Sequence, residues 1–453
     1  MSTYIQAGNG AVTRTVESRL RETVSVKDYG AVGDGVTDDT AAFTSAFNYL
    51  ASRVTSTLGG GTLYVPHGTY KLSQALPLPR AVDIKGDGMV NTRLVFTGGA
   101  GTHGITMIHP INSSTQTFCR IEGLRVSGPG SGSTGFGVYD QGGTEWVLRD
   151  CFIDGWKYGV VMDQSEIITV ANCDITTCIT AGIWLVNGPD LNSTAGGGYT
   201  NRITIRECQF NGCGQYSILD DGGVDHVIRD NNYNYASVAH LRVAGVTKLL
   251  VQGGEWEAAP INVITTYLTL SGRGVGQPGS ICLQGNDFTQ PGGTAAIQVQ
   301  SYCAGLTLIA NGFSNMGSSA ALIQGVANVY WLFTAGNIFY DHTNQGGKFL
   351  DGRAVFHNVS ESVLEGSASS DVGTLAAGAS GHFDITVTGV TAGDYVESVS
   401  AATAGGTDLG QAFEVSASVS AANTVRVRVQ NISAASADPP AATYRVRVWR
   451  QSI

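Results

Sequence analysis

Charge is the scarcest property of this 453-residue chain: 26 Lys and Arg and 36 Asp and Glu make only 14% of it. The net charge of −10 excludes a surface built to neutralise nucleic-acid phosphates. No apolar run approaches the ~20 residues that a membrane helix needs, and no apolar core follows Met1, so neither a span nor a secretory leader is expected. Without an oxidising compartment, the eight cysteines are expected to stay reduced. CxxC and HExxH patterns are missing, and no metal or other cofactor is expected. A Gly-X-Y period is missing too, and with 42% hydrophobic residues the chain is neither collagenous nor disordered. What it has in excess is glycine, 61 residues, the mark of many strands joined by tight turns.

Helical periodicity is confined to the first part. Thr15 to Glu22 forms one short candidate, and a second begins at Asp38 or Asp39, with Ala42, Phe43, Ala46, Phe47, Leu50 and Val54 on one face. Between about 84 and 345 the sequence repeats. The segments RDCFI (149–153), ANCDI (171–175), RECQF (206–210), RDNNY (229–233), QGGEW (252–256), QGNDF (284–288), ANGFS (310–314) and AGNIF (335–339) align. Their third position runs Cys151, Cys173, Cys208, Asn231, Gly254, Asn286, then Asn311, one residue displaced, and Asn337. Two residues later stand Ile153, Ile175, Phe210, Tyr233, Trp256, Phe288, Phe313 and Phe339.

A basic spacing of 22–26 residues with several short strands per unit predicts a right-handed parallel β-helix, one rung per repeat. Equivalent residues of successive rungs then stack ~4.8 Å apart. The third position becomes a corner ladder, Cys giving way to Asn, and the fifth a stack of core side chains. Cys178 and Cys213 form a second column, so the cysteines are read as packing residues. Two long spacings place insertions at 188–201 and around 271–280. After about 365, Cys and Lys vanish and alternating stretches such as NTVRVRVQ and TYRVRVW predict a small β-sandwich. The expected organisation is an N-terminal segment 1–24, a β-helix 25–365 with a capping helix, and a C-terminal β-sandwich 366–453.

VSVKDYGAVGDGVTDDTAAF, GGGTLYVPHGTYKL and IKGDG together resemble the N-terminal signature of the pectate-lyase-like β-helix superfamily. TRTVESRLRETVSVKDYGAVGDGVTDDT is most similar to bacteriophage tailspike depolymerases, and FDITVTGVTAGDYV, SASVSAANTVRVRVQN and YRVRVW to the small C-terminal domain of such spikes. These stretches cover about 150 residues at the two ends. The resemblance implies a homotrimer in the virion tail, joined by its N-terminus to the baseplate or a tail adaptor, that binds and cleaves a bacterial surface polysaccharide. The NTD, GHG and RIK signatures of polygalacturonases and the DPHE signature of mannuronan epimerases are missing. Asp34, Asp38 and Asp39 are read as capping residues.

Glycoside hydrolysis needs one protonated and one ionised carboxyl group. Asp163 and Asp220 both lie 13 residues beyond the second position of their repeats, two rungs apart, with Asp221 following directly. These three are the candidate catalytic residues. Alternation predicts Val161, Ile183, Ile218 and Leu241 inward, and Met162, Trp184, Leu219 and Arg242 outward. Trp184 and Arg242 are candidate sugar contacts, with trimer packing as the alternative for them and for His240. A second outward column, Asp174, Gln209, Asn232, Glu255 and Asp287, makes Glu255 a further candidate substrate contact and Glu255/Asp287, ~5 Å apart, a rival acid pair. A lyase on the same fold and a non-catalytic receptor-binding fibre remain the alternatives to hydrolysis. Lysis by elimination needs a Lys or Arg against the sugar carboxylate, and only six lysines are present.

Overall fold

In the computed structural model each repeat becomes a rung of three short strands. The structure describes residues 2–55, 57–108, 118–186, 200–257, 259–266, 269–270, 273–274, 279–289, 295–300, 303–314, 321–324, 329–335, 337–339, 363–391, 394–403, 409 and 411–449. In the rung that holds Cys151, Val147–Arg149 belongs to a first sheet, Phe152–Asp154 to a second and Tyr158–Asp163 to a third. Each strand pairs in parallel with its counterparts in the neighbouring rungs. Among the described residues the first and second sheets reach twelve strands and the third ten. Residues 188–199 of one insertion, and 271–272 and 275–278 of the other, lie outside the described residues.

The corner between first and second sheets explains the residue types found there. One residue per rung takes the left-handed conformation: Asp150, Asn172, Glu207, Asp230, then Gly253 and Gly285. Asn and Asp tolerate this region and Gly enters it freely. The next residue points inward and builds the expected ladder. Asn286 Oδ1 accepts the Gly254 N–H (3.0 Å), Asn311 Oδ1 the Asn286 N–H (3.0 Å) and Asn337 Oδ1 the Asn311 N–H (2.9 Å). Their amide nitrogens donate to Val251, Leu283 and Leu308 carbonyls. A buried bend is thereby satisfied in each of these rungs, each bond contributing about 1 kcal/mol. In the earlier rungs Cys151, Cys173 and Cys208 fill this column as free thiols donating to carbonyls.

The fifth-position column stacks in register. Phe210 lies 5.2 Å from Tyr233 with rings 7° from parallel, and Tyr233 4.1 Å from Trp256. These rings are fully buried, and the burial of such a column is a main source of solenoid stability. At the N-terminal end, helix Thr40–Ser52 buries Ala42, Phe43, Ala46, Phe47 and Leu50. Asp38 accepts the Thr40 N–H at 3.0 Å, and the Ser73 side chain, the Thr40 hydroxyl and this N–H together hold its pKa down to about 2. Asp39 instead bonds the Val32 and Gly33 N–H groups (2.7 and 3.1 Å), and Asp34 those of Val36 and Thr37. All three aspartates are thus engaged in local backbone structure.

The chain divides into two units, Met1–Val355 and Phe356–Ile453. In the first, Thr3–Ile5 and Thr13–Thr15 pair antiparallel ahead of a short helix, Val16–Leu20. Among the described residues the second holds two three-stranded antiparallel sheets around one core that includes Ile385, Val425, Val427, Tyr444 and Val446. No helix among the described residues is long and apolar enough to cross a membrane.

Candidate functional site

The outward face of the third sheet carries a second apolar cluster, separate from the solenoid interior. It holds Phe136, Tyr139, Tyr158, Val161, Val186 and Leu219, with Trp184 and Tyr216 against it. The rings follow one another from rung to rung. Phe136 and Tyr158 are 5.7 Å apart, Tyr158 stacks on Trp184 at 4.5 Å and 27°, and the Arg242 guanidinium lies 5.6 Å from the Tyr216 ring. Asp221 joins the upper end of this row. Its Oδ2 accepts the Trp184 indole N–H at 2.7 Å, and its Oδ1 pairs with Arg242. Burial pushes the Asp221 carboxyl above the ordinary carboxylate range, against the opposing pull of Arg242 and Trp184.

The register departs from the expected one. Val160, not Val161, pairs with Ile183, and Val161 pairs with Trp184, so Val161 faces outward and Met162 inward. The cause is one extra residue in the next rung's bend: four steps lead from Asp154 to Tyr158, five from Thr176 to Ala181. A slip of one exchanges the faces of a strand. Ile183, Ile218 and Leu241 stay in one column, and Trp184, Leu219 and Arg242 in the other, as expected.

The slip also breaks the expected pairing of Asp163 with Asp220. Asp163 pairs with Val186 on the outward side, whereas Asp220 pairs with Leu185 on the inward side. Asp220, expected as a catalytic residue, is instead fully buried inside the solenoid and bound to His226, 2.8 Å away. Asp221 takes its place. Its N–H bonds to the Leu185 carbonyl (2.9 Å), which continues the ladder and brings Asp221 beside Val186. The outward column therefore reads Gln141, Asp163, Val186, Asp221. Two strand spacings separate the two carboxylates, about 9–10 Å, at the upper edge of the ~6.5–9.5 Å range of inverting glycosidases. Asp163 is itself buried on this face and accepts from Gln141 Nε2 at 3.4 Å.

Glu255 is not part of this constellation. It lies exposed on the second sheet, where the column Asp174, Gln209, Asn232, Glu255, Asp287 forms as expected. His240 lies inside the solenoid, bonded to Ser217 Oγ (3.1 Å) and the Glu257 carbonyl (2.6 Å), and burial drives its pKa down to about 4. It is neither a sugar contact nor an outward packing residue. Sequence reasoning missed Phe136, Tyr139, Tyr158 and Tyr216; Tyr158 follows Phe136 by 22 residues, the repeat spacing itself. Among the described residues no group of three or more His, Cys, Asp or Glu side chains could hold a metal ion.

Two family models match the chain: rhamnogalacturonase A/epimerase, pectate lyase-like, over residues 23–121, and the right-handed β-helix region over 99–245. The resemblance carried by the N-terminal signature is thereby borne out for the fold. The chain is 30% identical over 225 residues to mannuronan C5-epimerase AlgE4 of Azotobacter vinelandii, covering 48% of itself and 35% of that protein. It is 34% identical over 104 residues to the preneck appendage protein of Bacillus phage PZA, covering 23% of itself and 11% of that protein. The chain thus spans about a third or less of the length of these relatives. A solved tailspike variant of E. coli bacteriophage HK620, in complex with a pentasaccharide, superposes with a TM-score of 0.56 at 14% identity, over 99% of this chain and 97% of that one. At that identity the likeness is one of fold.

Proposed function

We propose that this chain is a tailspike that binds and depolymerises a bacterial surface polysaccharide, as a homotrimer held to the virion tail through its N-terminal segment. The observation that carries the reading is the meeting of Trp184, Asp221 and Arg242 on the outward aromatic face. Apolar ring faces stack on sugar rings, and a guanidinium holds a hydroxyl or carboxylate. The fold is one on which the HK620 tailspike carries a pentasaccharide, and the phage preneck relative supports a place in the tail.

The carboxylates suit acid/base hydrolysis with inversion. Asp221, its pKa raised by burial, protonates the departing glycosidic oxygen, and Asp163 takes the proton of the water that attacks the opposite face of the sugar. Arg242 favours a second reading on the same face, elimination from an acidic glycan: the guanidinium neutralises the sugar carboxylate, Asp221 removes the proton beside it, the electron pair forms a carbon–carbon double bond as the neighbouring glycosidic C–O bond breaks, and the departing oxygen takes a proton from water. Similarity to an enzyme of mannuronan, a uronic acid polymer, supports an acidic substrate.

The test is a screen of bacterial surface polysaccharides for new reducing ends, with ultraviolet absorbance followed in parallel. Hydrolysis gives reducing ends alone, whereas elimination adds an absorbing unsaturated product. Asp221→Asn is expected to abolish both. A glycan that binds without falling in size would identify a receptor-binding fibre, and full activity in Asp221→Asn would refute the site.

A further inference from the structure

Two corners of the third sheet are made from one short pattern. Asp140-Gln141-Gly142-Gly143 and Asp220-Asp221-Gly222-Gly223 each end a strand, and a ring with an N–H follows six residues after the first Asp, Trp146 in one and His226 in the other. Asp140 and Asp220 share one inward column, with Met162 and Leu185 between them. In both corners the next residue faces the candidate site: Gln141 reaches Asp163, and Asp221 reaches Trp184 and Arg242.

The buried partners differ. Asp140 accepts from the Ser165 hydroxyl, and burial lifts its carboxyl to about 7. Asp220 accepts the Gly222 N–H on Oδ1 (3.3 Å) and stands 2.8 Å from His226 Nδ1 through Oδ2. The other ring nitrogen, Nε2, lies 3.3 Å from the Thr200 carbonyl oxygen. Facing an ionised carboxylate on one side and a carbonyl on the other, both of which only accept, the two ring nitrogens would each carry a proton, the arrangement of an imidazolium. The ring also fills the corner. Gly223 has φ +145°, and a Cβ there would stand 2.5 Å from Nε2 and 2.2 Å from the Thr200 oxygen. The Thr200 hydroxyl closes the clamp by bonding the Gly222 carbonyl.

We propose that Asp220 and His226 are positioning residues: the buried imidazolium locks the Gly222–Gly223 corner and so fixes Asp221 against Trp184 and Arg242. The functional consequence rests on the reading of this face as the glycan site; the clamp itself does not. The charged groups that bear on His226 are Asp220 from the preceding strand and Asp225 from its own side, the latter paired with Lys248 of the next rung at 3.3 Å. Beyond Asp220 lies Asp221, paired with Arg242, and the residue in register with His226 in the next rung is apolar Leu249. Burial opposes a charged ring, but Asp220 and the Thr200 carbonyl outweigh it and hold the pKa above its ordinary 6.5. The stabilisation is therefore fully present below pH 6.5 and is lost as pH rises through the higher folded value. The corner is released on the basic side.

Ring-nitrogen NMR of the full chain labelled with 15N-histidine, with His226→Gln as the assignment control, reads the proton directly. Labelling with 5-fluorotryptophan, with Trp184→Phe as control, reads the site. The expected result is one imidazolium that persists above pH 6.5 and is missing from His226→Gln, together with a Trp184 fluorine resonance that moves at the same midpoint. In His226→Gln that movement should vanish. A neutral His226 at pH 6.5, or a Trp184 resonance that titrates unchanged without it, would overturn the proposal. Should His226→Gln not fold, Asp220→Asn serves instead and should lower the His226 midpoint by about 1 unit or more; an unchanged midpoint is again a refutation. Coupled titration in a protein that cleaves no glycan would leave the clamp standing and remove the proposed function. Cleavage with a neutral His226 would do the reverse.

Discussion

Two columns of carboxylates run along the outside of this solenoid, and they differ in everything except their stacking. On the second sheet, Glu255 and Asp287 are paired in register and exposed, and Glu255 accepts from Asn232 at 2.8 Å. On the third sheet, Asp163 and Asp221 are buried among aromatic rings, and Asp221 has a guanidinium and an indole N–H as partners. By separation alone, the ~5 Å of the first pair suits a retaining glycosidase and the ~9–10 Å of the second an inverting one. Surroundings decide between them. Acid/base work needs a group whose protonation is shifted by its environment, and burial supplies that shift at Asp221.

The contrast breaks most visibly in turnover. On a glycan that the protein cleaves, Asp221→Asn and Asp163→Asn are each expected to lower kcat by about 10²- to 10⁴-fold, the usual worth of a general acid or base. Equal losses from Glu255→Gln would move the site to the second sheet. Next comes stability. Arg242→Ala removes the cation paired with Asp221, and breaking a buried pair costs up to about 3–5 kcal/mol where the carboxylate stays ionised, less where it takes up a proton instead. The double variant Asp221→Ala/Arg242→Ala should regain part of that loss in denaturant unfolding. A single-variant cost no larger than that of Arg206→Ala, whose partner Glu207 is about half exposed, would mean that solvent reaches Asp221 as freely as the open face.

The same contrast marks how far the sequence could be read. The rungs, the Cys-to-Asn corner and the aromatic stack were legible because stacking copies a residue type at a fixed spacing, as from Phe210 to Phe313. The second-sheet column was legible for the same reason, since it lies one residue from that stack. The third sheet follows a bend whose length varies between rungs, and one residue more between Thr176 and Ala181 was enough to turn Asp163 outward and to place it in the column of Asp221 rather than of Asp220. The pairing of Asp220 with His226 was illegible for another reason: nothing in spacing says that a His six residues on will turn inward to meet it.

The smallest expected effect completes the comparison. Glu255 and Asp287 stand side by side on the exposed face, where solvent and salt screen the repulsion between them. Glu255→Gln keeps the shape and leaves a side chain that still accepts from Asn232. Asp287→Asn removes the opposing charge. Each should leave cleavage within about twofold and shift the thermal midpoint by no more than about 2 °C. The direction is informative: loss of one of two adjacent like charges should raise the midpoint at low salt, and added salt should erase the gain. A fall in the midpoint that survives high salt would mean that these carboxylates hold a buried partner, and the two columns would then differ less than their exposure implies.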